Sequence, residues 1–585
     1  MKWMVQAKRA DFDKIASKFN IDKVLARIIR NRDVICDEDI DKFLYGDMSK
    51  LHDPYLLKDM DRAVNILRNK IASKDKIRII GDYDVDGICS TFILLRGLKS
   101  LGADVDTVIP HRIQDGYGLN DALIENAHND GIDTILTCDN GIAASSQVDL
   151  AKKYGMTVVI TDHHEVPYEL KDDIKNFVLP NADAIVDPKQ IDDNYPFKSI
   201  CGAMIAFKLI SALVNDSKLI DEIIPFAALA TVCDVMELLD ENRIIVKEGL
   251  KLIKDPINKG LKALVIATSL DQKQISSYHF GFVVGPTINA TGRLDTAKRA
   301  LDLFDCDDFN ECCMIATSLK ELNESRKKLT EDGIIRASDI IDETDIKNDD
   351  ILVVYLPECH ESIAGIIAGR IKEKYYKPTI VLTGAEDGIK GSGRSIEGYN
   401  MYEELNKVSD LFTKFGGHKM AAGLSLEDED KVSELRRRLN NNSTLTIDDL
   451  ERKLSIDVPM PLSYIDFNLI KSLDLLEPTG TGNPKPLFAD KEVSLLSYEK
   501  KGRSKIIGKF RVKDIYDRTY EMIYFDDLDK FDEFIINNFG IEKFENLKAG
   551  RLNKGDIKLK IAYSPSINTF NNTKSIQIVM KYYDV

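Results

Sequence analysis

Apolar residues recur at helical spacing near the N-terminus, with Phe12, Ile15 and Phe19 and then Val24, Ile28 and Ile29 on common faces. Residues up to about Asp53 are therefore expected to fold as short amphipathic helices. The period then changes. From Lys76 to about Lys198 short apolar runs alternate with helical stretches, the runs being Ile77 to Ile80, Val105 to Ile109, Thr134 to Thr137, Thr157 to Ile160 and Phe177 to Pro180. That rhythm predicts a parallel sheet with crossover helices. Segments rich in Ala, Leu and Ile continue to about Ser325, and Glu321 to Ile341 has the charge-rich pattern of a long connecting helix. A second α/β pattern opens on Ile351-Leu352-Val353-Val354-Tyr355 and has a further strand at Pro378 to Leu382. Beyond Glu451 the alternation in Ile557 to Ala562 and Ser575 to Met580 predicts a small β-rich domain. The expected organisation is an N-terminal helical cap over 1–53, an α/β domain over 54–325, a connecting helix over 326–346, a second α/β domain over 347–450 and a β-rich domain over 451–585.

A chain of 585 residues is too long for one hydrophobic core, which agrees with several domains. Its 44% hydrophobic and 30% charged content is that of a folded globular protein. The net charge of -16 disfavours a uniformly basic surface but leaves room for a local basic channel. Residues Met1 to Arg9 have no signal-peptide core, and the longest apolar run, Ile223 to Leu239, is interrupted by Asp234 and Glu237, so no membrane span is expected. Nine cysteines without C-x-x-C spacing fit a reducing, cytoplasmic setting. Cys89, Cys138 and Cys233 lie near acidic motifs and are expected to be small buried hydrophobes.

The acidic motifs carry the chemistry. Asp82, Asp84 and Asp86 occupy alternate positions between Gly81 and Gly87, directly after a predicted strand. Carboxylates this close raise one another's pKa unless a cation neutralises them. A calcium-binding EF-hand loop would need a glutamate where Ile93 stands and a helix where a strand precedes, so that reading fails. Two further strands end in potential ligands, Asp139 in Cys138-Asp139-Asn140-Gly141 and the run Asp162-His163-His164. Alone, Asp139-Asn140-Gly141 is more often a turn, and Asp162-His163-His164 a helix cap with surface histidines. In an open α/β sheet, however, ligands gather at the carboxyl ends of the strands, so the three turns should converge. Asp234 lies in the apolar run Ala230-Thr231-Val232-Cys233, where an aspartate is unfavourable unless paired or metal-bound. Carboxylates with one or two imidazoles suit Mn2+ or Mg2+, and their number implies two ions. Ions roughly 3.5 to 4 Å apart serve phosphoester or phosphoanhydride hydrolysis.

The segments Gly81-Asp82-Tyr83-Asp84-Val85-Asp86-Gly87, Asp139-Asn140-Gly141, Asp162-His163-His164 and Asp234 resemble the successive motifs of the DHH phosphoesterase superfamily. Further segments narrow the resemblance to its RecJ family of single-strand-specific exonucleases. These are Gly116-Tyr117-Gly118-Leu119, Gly285-Pro286-Thr287-Ile288-Asn289-Ala290-Thr291-Gly292-Arg293-Leu294, Gly391-Ser392-Gly393-Arg394-Ser395, Phe415-Gly416-Gly417-His418 and Pro478-Thr479-Gly480-Thr481-Gly482-Asn483-Pro484. The resemblance runs from about Leu51 onward and weakens over roughly the last forty residues.

It implies a parallel-sheet DHH domain joined by a long helix to a DHH-associated domain, with a C-terminal OB fold of the kind that holds single-stranded nucleic acid. It also implies that Asp84, Asp86, Asp139, His163 and Asp234 bind metal, with Asp82 and His164 completing or orienting the shell. Some superfamily members carry a metal-binding histidine where this chain has Ile80, which leaves one ion with fewer protein ligands. Arg112, Arg293, Ser392, Ser395 and Arg394, with the glycine-rich Gly416 and Gly417, would receive a 5′ phosphate. Asn289, His360 and His418 would join His164 near the scissile group, and Tyr117 would stack on a base. The implied activity is 5′ to 3′ hydrolysis of single-stranded DNA to 5′ mononucleotides with Mn2+ or Mg2+, in DNA repair and recombination. A monomer supplied by a helicase and a single-strand-binding protein goes with it. The alternatives are a phosphodiesterase acting on short RNA or cyclic dinucleotides, and a DNA-binding scaffold without catalysis.

Overall fold

A computed structural model describes residues 1–585 except 113, 114, 117, 172, 173, 386, 387, 503–505, 571 and 572. The chain divides into two compact units, Asp47–Arg452 and a second assembled from Met1–Gly46 and Lys453–Val585.

The larger unit holds a five-stranded, all-parallel sheet whose spatial order is Val105–Val108, Ile77–Ile80, Thr134–Cys138, Thr157–Thr161, Ala184–Val186. Ile77–Ile80 and Thr134–Cys138 are buried along their whole length because helices cover both faces, which is why they read as largely apolar runs without strict alternation. In chain order the strands are arranged 2-1-3-4-5, so the topology reverses direction between Ile77–Ile80 and Thr134–Cys138. That reversal opens a crevice at the carboxyl ends of those two strands.

The fifth strand differs from expectation. Phe177 closes a separate two-stranded hairpin, Tyr168–Lys171 with Ile174–Phe177, and Phe177 and Leu179 are exposed. Ala184–Val186, buried throughout, takes the sheet position instead. Apolar content alone favoured 177–180, but a strand covered on both faces needs residues that all tolerate burial.

Helices Val85–Ser100, Gly202–Leu213 and Ser217–Cys233 pack together against the sheet, with Phe92, Phe226 and Phe304 forming an aromatic cluster at ring separations of 4.3 to 5.9 Å. Helix Phe309–Glu343, 35 residues long, leads to a second five-stranded sheet. Its order is Phe412–His418, Ala421–Leu426, Gly388–Arg394, Thr379–Ala385, Leu352–Tyr355, with only the last two strands parallel. No helix among the described residues is long and apolar enough to cross a membrane.

In the smaller unit, strands Phe488–Lys501, Ile507–Lys513, Thr519–Tyr524, Thr573–Asp584 and Lys558–Phe570 close into a barrel through the pairing of the last with the first. The helices expected near the N-terminus form as Phe12–Phe19, Lys23–Asn31 and Asp37–Tyr45. They belong to the same unit as the barrel, preceded by a strand, Lys2–Val5, that pairs in parallel with Lys453–Ile456. Arg32 and Asp457 form a buried ion pair there, and Asn31 Nδ2 donates to the Asp457 carbonyl at 3.0 Å.

Arg32→Ala leaves the Asp457 carboxylate buried without a cation, a loss worth about 3 to 5 kcal/mol. Trp3, the single tryptophan, lies in the strand paired with Lys453–Ile456 and reports on this unit. The Trp3 emission transition in urea should therefore move to clearly lower denaturant in the variant, and an unshifted midpoint would contradict the assignment.

Candidate metal centre and anion pocket

The carboxyl edge of the parallel sheet gathers the acidic groups, and backbone amides hold three of them, Asp84, Asp86 and Asp162. Asp84 caps helix Val85–Ser100, its Oδ1 accepting from the Asp86 and Gly87 amides at 2.9 and 3.1 Å. Asp86, inside the first turn, accepts from the Gly202 and Ala203 amides at 2.7 Å each, so the N-terminus of helix Gly202–Leu213 is fixed onto it. A Cβ on Gly87 would lie 2.4 Å from the Asp82 carbonyl oxygen, and one on Gly202 would lie 2.8 Å from Asp139 Cβ. Both glycines are required by close approach rather than by backbone angle.

Asp139 follows strand Thr134–Cys138 with φ 59°, and its Oδ1 lies 3.0 Å from His163 Nε2. The same Nε2 is 3.5 Å from Asp86 and 3.7 Å from Asp234. Asp234 ends helix Ser217–Cys233, where the Met236 amide closes back on Thr231 at 3.1 Å. Val235 takes the left-handed conformation in that turn, an unusual and strained position for a β-branched residue. Asp162 is saturated: it accepts from the His163 and Ile142 amides and from His164 Nδ1, at 2.7 to 2.9 Å. It therefore orients the two histidines.

Electrostatics mark the same residues. Burial, then the neighbouring Asp84, pushes Asp82 up to about 8. Burial with Asp86 and Asp84 nearby raises Asp234 to about 8 as well, and burial with Asp86 nearby drives Asp139 far above the usual carboxylate range. Burial lowers His163; burial also acts to lower His164, but the Asp162 hydrogen bond together with the charges of Asp162, Asp234 and Asp86 raises it to about 9. Asp82 Oδ1 and Asp234 Oδ2 are buried and, among the described residues, receive no hydrogen bond. Three groups of ligand atoms, Asp82/Asp84/Asp139, Asp86/His163/Asp234 and Asp139/His163/His164, each lie within 4.8 Å of one another. The first two share no residue. These orphaned oxygens and this oxygen-and-imidazole set fit hard divalent cations. Cys89, Cys138, Cys201 and Cys233 surround the centre, but burial raises every one of these thiols, Cys138 to about 12, and none joins a ligand group.

Beside the carboxylates lies a cavity of about 460 Å³ lined by Arg112, Arg293, Arg394, Ser392, Lys414 and Gly416 together with the first turn of helix Glu361–Tyr375. Arg112 sits 4.8 Å over the ring of Tyr83, the residue between Asp82 and Asp84. Arg293 donates to the Ser362 carbonyl, and Arg394 donates to Ser392 Oγ at 3.0 Å. Burial and then the charges of Arg112, Arg326 and Arg394 lower Arg293 to about 9. No carboxylate among the described residues forms an ion pair with Arg112, Arg293 or Arg394. Such a group of guanidiniums without carboxylate partners, beside a helix N-terminus, suits an anion.

Other expected residues lie elsewhere. Asn289 Oδ1 accepts from the Val85 amide at 3.1 Å, so it steadies the catalytic turn. Ser395 is buried and donates to the Tyr399 carbonyl, and His360 caps helix Glu361–Tyr375 through Ser362. His418 and Gly417 end an exposed strand, Gly417 with φ 149° against Ala421 and Ala422, and neither lines the cavity. Tyr117 lies outside the described residues. Lys500 and Lys501 are paired with acidic neighbours, as are Arg436, Arg437 and Arg438. The sequence reading missed Tyr83, Lys414 and Asp187. Asp187 ends the fifth strand, fully buried, and burial followed by Asp162 raises it to about 8.

Family models agree with this layout. The DHH family, N-terminal domain matches residues 76–231, the DHHA1 domain 348–442 and the RecJ OB domain 456–582. The chain is 33% identical to the single-stranded-DNA-specific exonuclease RecJ of Bacillus subtilis, over 99% of this chain and 70% of that protein. It is 31% identical to the Escherichia coli RecJ over 99% of both. The crystal structure of RecJ from Thermus thermophilus in complex with Mn2+ matches with a TM-score of 0.79 at 26% identity, covering 100% of this chain and 79% of that one. A structure of exonuclease RecJ bound to manganese matches at 31% identity and a TM-score of 0.56, covering 66% and 94%.

Two outcomes follow from the geometry. With chelator present, Asp82 and Asp234 keep protons to about pH 8 in the fold but release them near 4 when unfolded. Their contribution to stability is full below about pH 4 and is lost as pH rises through about 8. The melting temperature should thus fall more steeply from about pH 5 to 8.5 in EDTA than in saturating Mn2+, and parallel profiles would rule out the coupling. Separately, Gly202→Ala forces Asp139 aside, and calorimetry should show Mn2+ binding weakened by roughly tenfold or more.

Proposed function

The chain belongs to the RecJ family of single-stranded-DNA-specific exonucleases, and from that premise we propose that it removes 5′ mononucleotides from single-stranded DNA with two Mn2+ or Mg2+ ions. The observation that carries this reading is the adjacency of two unlike sites. Arg112 reaches over Tyr83 while Asp82 and Asp84 flank that same residue, so an anion pocket opens directly beside the metal centre. A terminal phosphate held by Arg112, Arg293 and Arg394 leaves the next phosphate at the carboxylates, which fixes cleavage at one nucleotide from the end.

In this reading Asp82, Asp84 and Asp139 hold one ion, and Asp86, His163 and Asp234 the other. When bound, the ions activate water for attack at phosphorus and stabilise charge on the leaving oxygen. Asp162 keeps His164 protonated, so that its Nε2 carries a hydrogen to donate to the phosphoryl group. Asn289 holds the Val85 amide and with it the angle at which Asp84 and Asp86 face the crevice. Phosphate contacts dominate, so affinity is salt-sensitive and indifferent to sequence. The barrel of the smaller unit offers the strand a second hold. The enzyme acts as a monomer in the cytoplasm, on strands opened by a helicase and held by a single-strand-binding protein. All nine cysteines are free, which supports that compartment.

End-labelled single strands and duplexes incubated with Mn2+ test the proposal. Single strands alone should shorten, from the 5′ end, and Asp139→Ala should abolish the activity. Arg394→Ala should erase the preference for 5′-phosphorylated over 5′-hydroxyl strands, a loss of roughly ten- to a hundredfold in kcat/KM. Shortening from the 3′ end, or dinucleotides cut far faster than long strands, would overturn the assignment.

A further inference from the structure

An aromatic pair on the helix that carries Asn289 and Arg293 has no role in the site described so far. Tyr278 and Phe282 are 62% and 59% exposed, yet their rings stack on each other at 4.8 Å and 23°. Two large rings displayed side by side to water form one continuous apolar face. They flank and enter a π-helical turn, Phe280–Val284, that leads without a break into helix Gly285–Leu294. Such turns are rare in ordinary helices and frequent at functional sites.

Their position is tied to the metal centre. A Cβ on Gly281 would touch Val232 at 3.5 Å, and one on Gly285 would lie 2.2 Å from Cys233 Sγ, so this turn packs against the residues just before Asp234. Gly281, Gly285 and Gly292 meet Val232, Cys233 Sγ and the Tyr83 carbonyl oxygen in turn, and Phe282 and Arg293 each follow one of these glycines by a single residue, so both leave the seam on the same side, with Asn289 one turn before Arg293 on that stripe. Along that stripe stand Arg293 in the anion pocket, Asn289 at the catalytic turn, and then the aromatic pair.

We propose that Tyr278 and Phe282 form a base-stacking platform for the nucleotides that follow the scissile bond. The inference rests on the exonuclease reading above and adds how the remainder of the strand is held. Every base has a π-face, so stacking grips a strand without reading its sequence. A protein partner fits poorly. Two rings of about 150 to 250 Å² each, little more than half exposed, fall well below the roughly 800 Å² that each side of a stable protein interface buries.

The test compares a 5′-phosphorylated thymidine strand, the same strand with abasic residues beyond the second position, and a 5′-phosphorylated dinucleotide. Phe282→Ala and Tyr278→Ala should each raise KM for the thymidine strand roughly tenfold, and leave the abasic strand and the dinucleotide, which offer the platform no base, unchanged. Phe282→Trp should restore the wild-type KM, whereas Phe282→Leu, apolar but without a π-face, should not. Equal losses on all three substrates, or rescue by Leu, would overturn the platform. If the wild-type protein shortens no strand, the exonuclease reading fails independently. Fluorescence anisotropy with the labelled thymidine and abasic strands then decides the platform alone, since only the thymidine strand should lose affinity on Phe282→Ala.

Discussion

Carboxylates brought together out of water repel one another, and the architecture of the larger unit is arranged around holding them there. Asp84 and Asp86 are each fixed by two backbone amides, and Asp162 by three amides and an imidazole. These donors compensate part of the desolvation cost and determine where each oxygen points. Asp82, Asp139 and Asp234, and Asp84 in spite of its two amides, are left with raised pKa values, and Asp82 and Asp234 each keep a buried oxygen without a hydrogen bond among the described residues, a state that a divalent cation relieves. The arrangement needs backbones at close range. Gly87, Gly202 and Gly292 supply it, the last by letting helix Gly285–Leu294 approach the Tyr83 carbonyl oxygen.

The second constraint is that opposite charges sit side by side without cancelling. Arg112, Arg293 and Arg394 lie close enough to the acidic turn for Arg112 and Asp82 to feel one another, yet none of the three pairs with its carboxylates. Arg112 rests instead on the ring face of Tyr83, the residue between Asp82 and Asp84. Direct pairing would have satisfied both sides internally. Kept apart, they remain complementary to a ligand that carries phosphates to the arginines and divalent ions to the aspartates, which is the chemistry of a nucleic-acid strand being hydrolysed.

The choice of ion follows from burial as much as from ligand identity. Cys89, Cys138, Cys201 and Cys233 all lie near the carboxylates, and a thiolate at any of them would favour softer metals. Burial keeps each thiol protonated, so the available donors are oxygens and imidazole nitrogens. The Mn2+-bound relatives share the fold in which this donor set is assembled.

Alternate spacing of Asp82, Asp84 and Asp86 after a short apolar run was enough to identify the acidic turn. Strands at Ile77–Ile80, Thr134–Cys138 and Thr157–Thr161 were legible because burial on both faces leaves them largely apolar, with Arg78 paired to Asp106 and Asp130. Convergence of Asp139 and His163 followed from the general geometry of parallel sheets, and Asp234 stood out as an aspartate in an apolar helical run. Where several surroundings are compatible with the same residue type, local pattern no longer discriminates. Phe177 to Pro180 is as apolar as Ala184–Val186, and only packing against Thr157–Thr161 selects the latter, which is why Asp187 at its end escaped notice. Ser395 and His360 stand in glycine-rich or loop sequence like true pocket residues, and only the folded chain turns one into the interior and the other onto a helix cap. Arg32 and Asp457 are 425 residues apart, and no local signal records that they share a core. The sequence by itself thus determined the chemistry, because ligand types and strand periods are local. Tertiary structure decided which arginines stay unpaired and which strand, cap and terminus meet, because those depend on neighbours that only folding brings together.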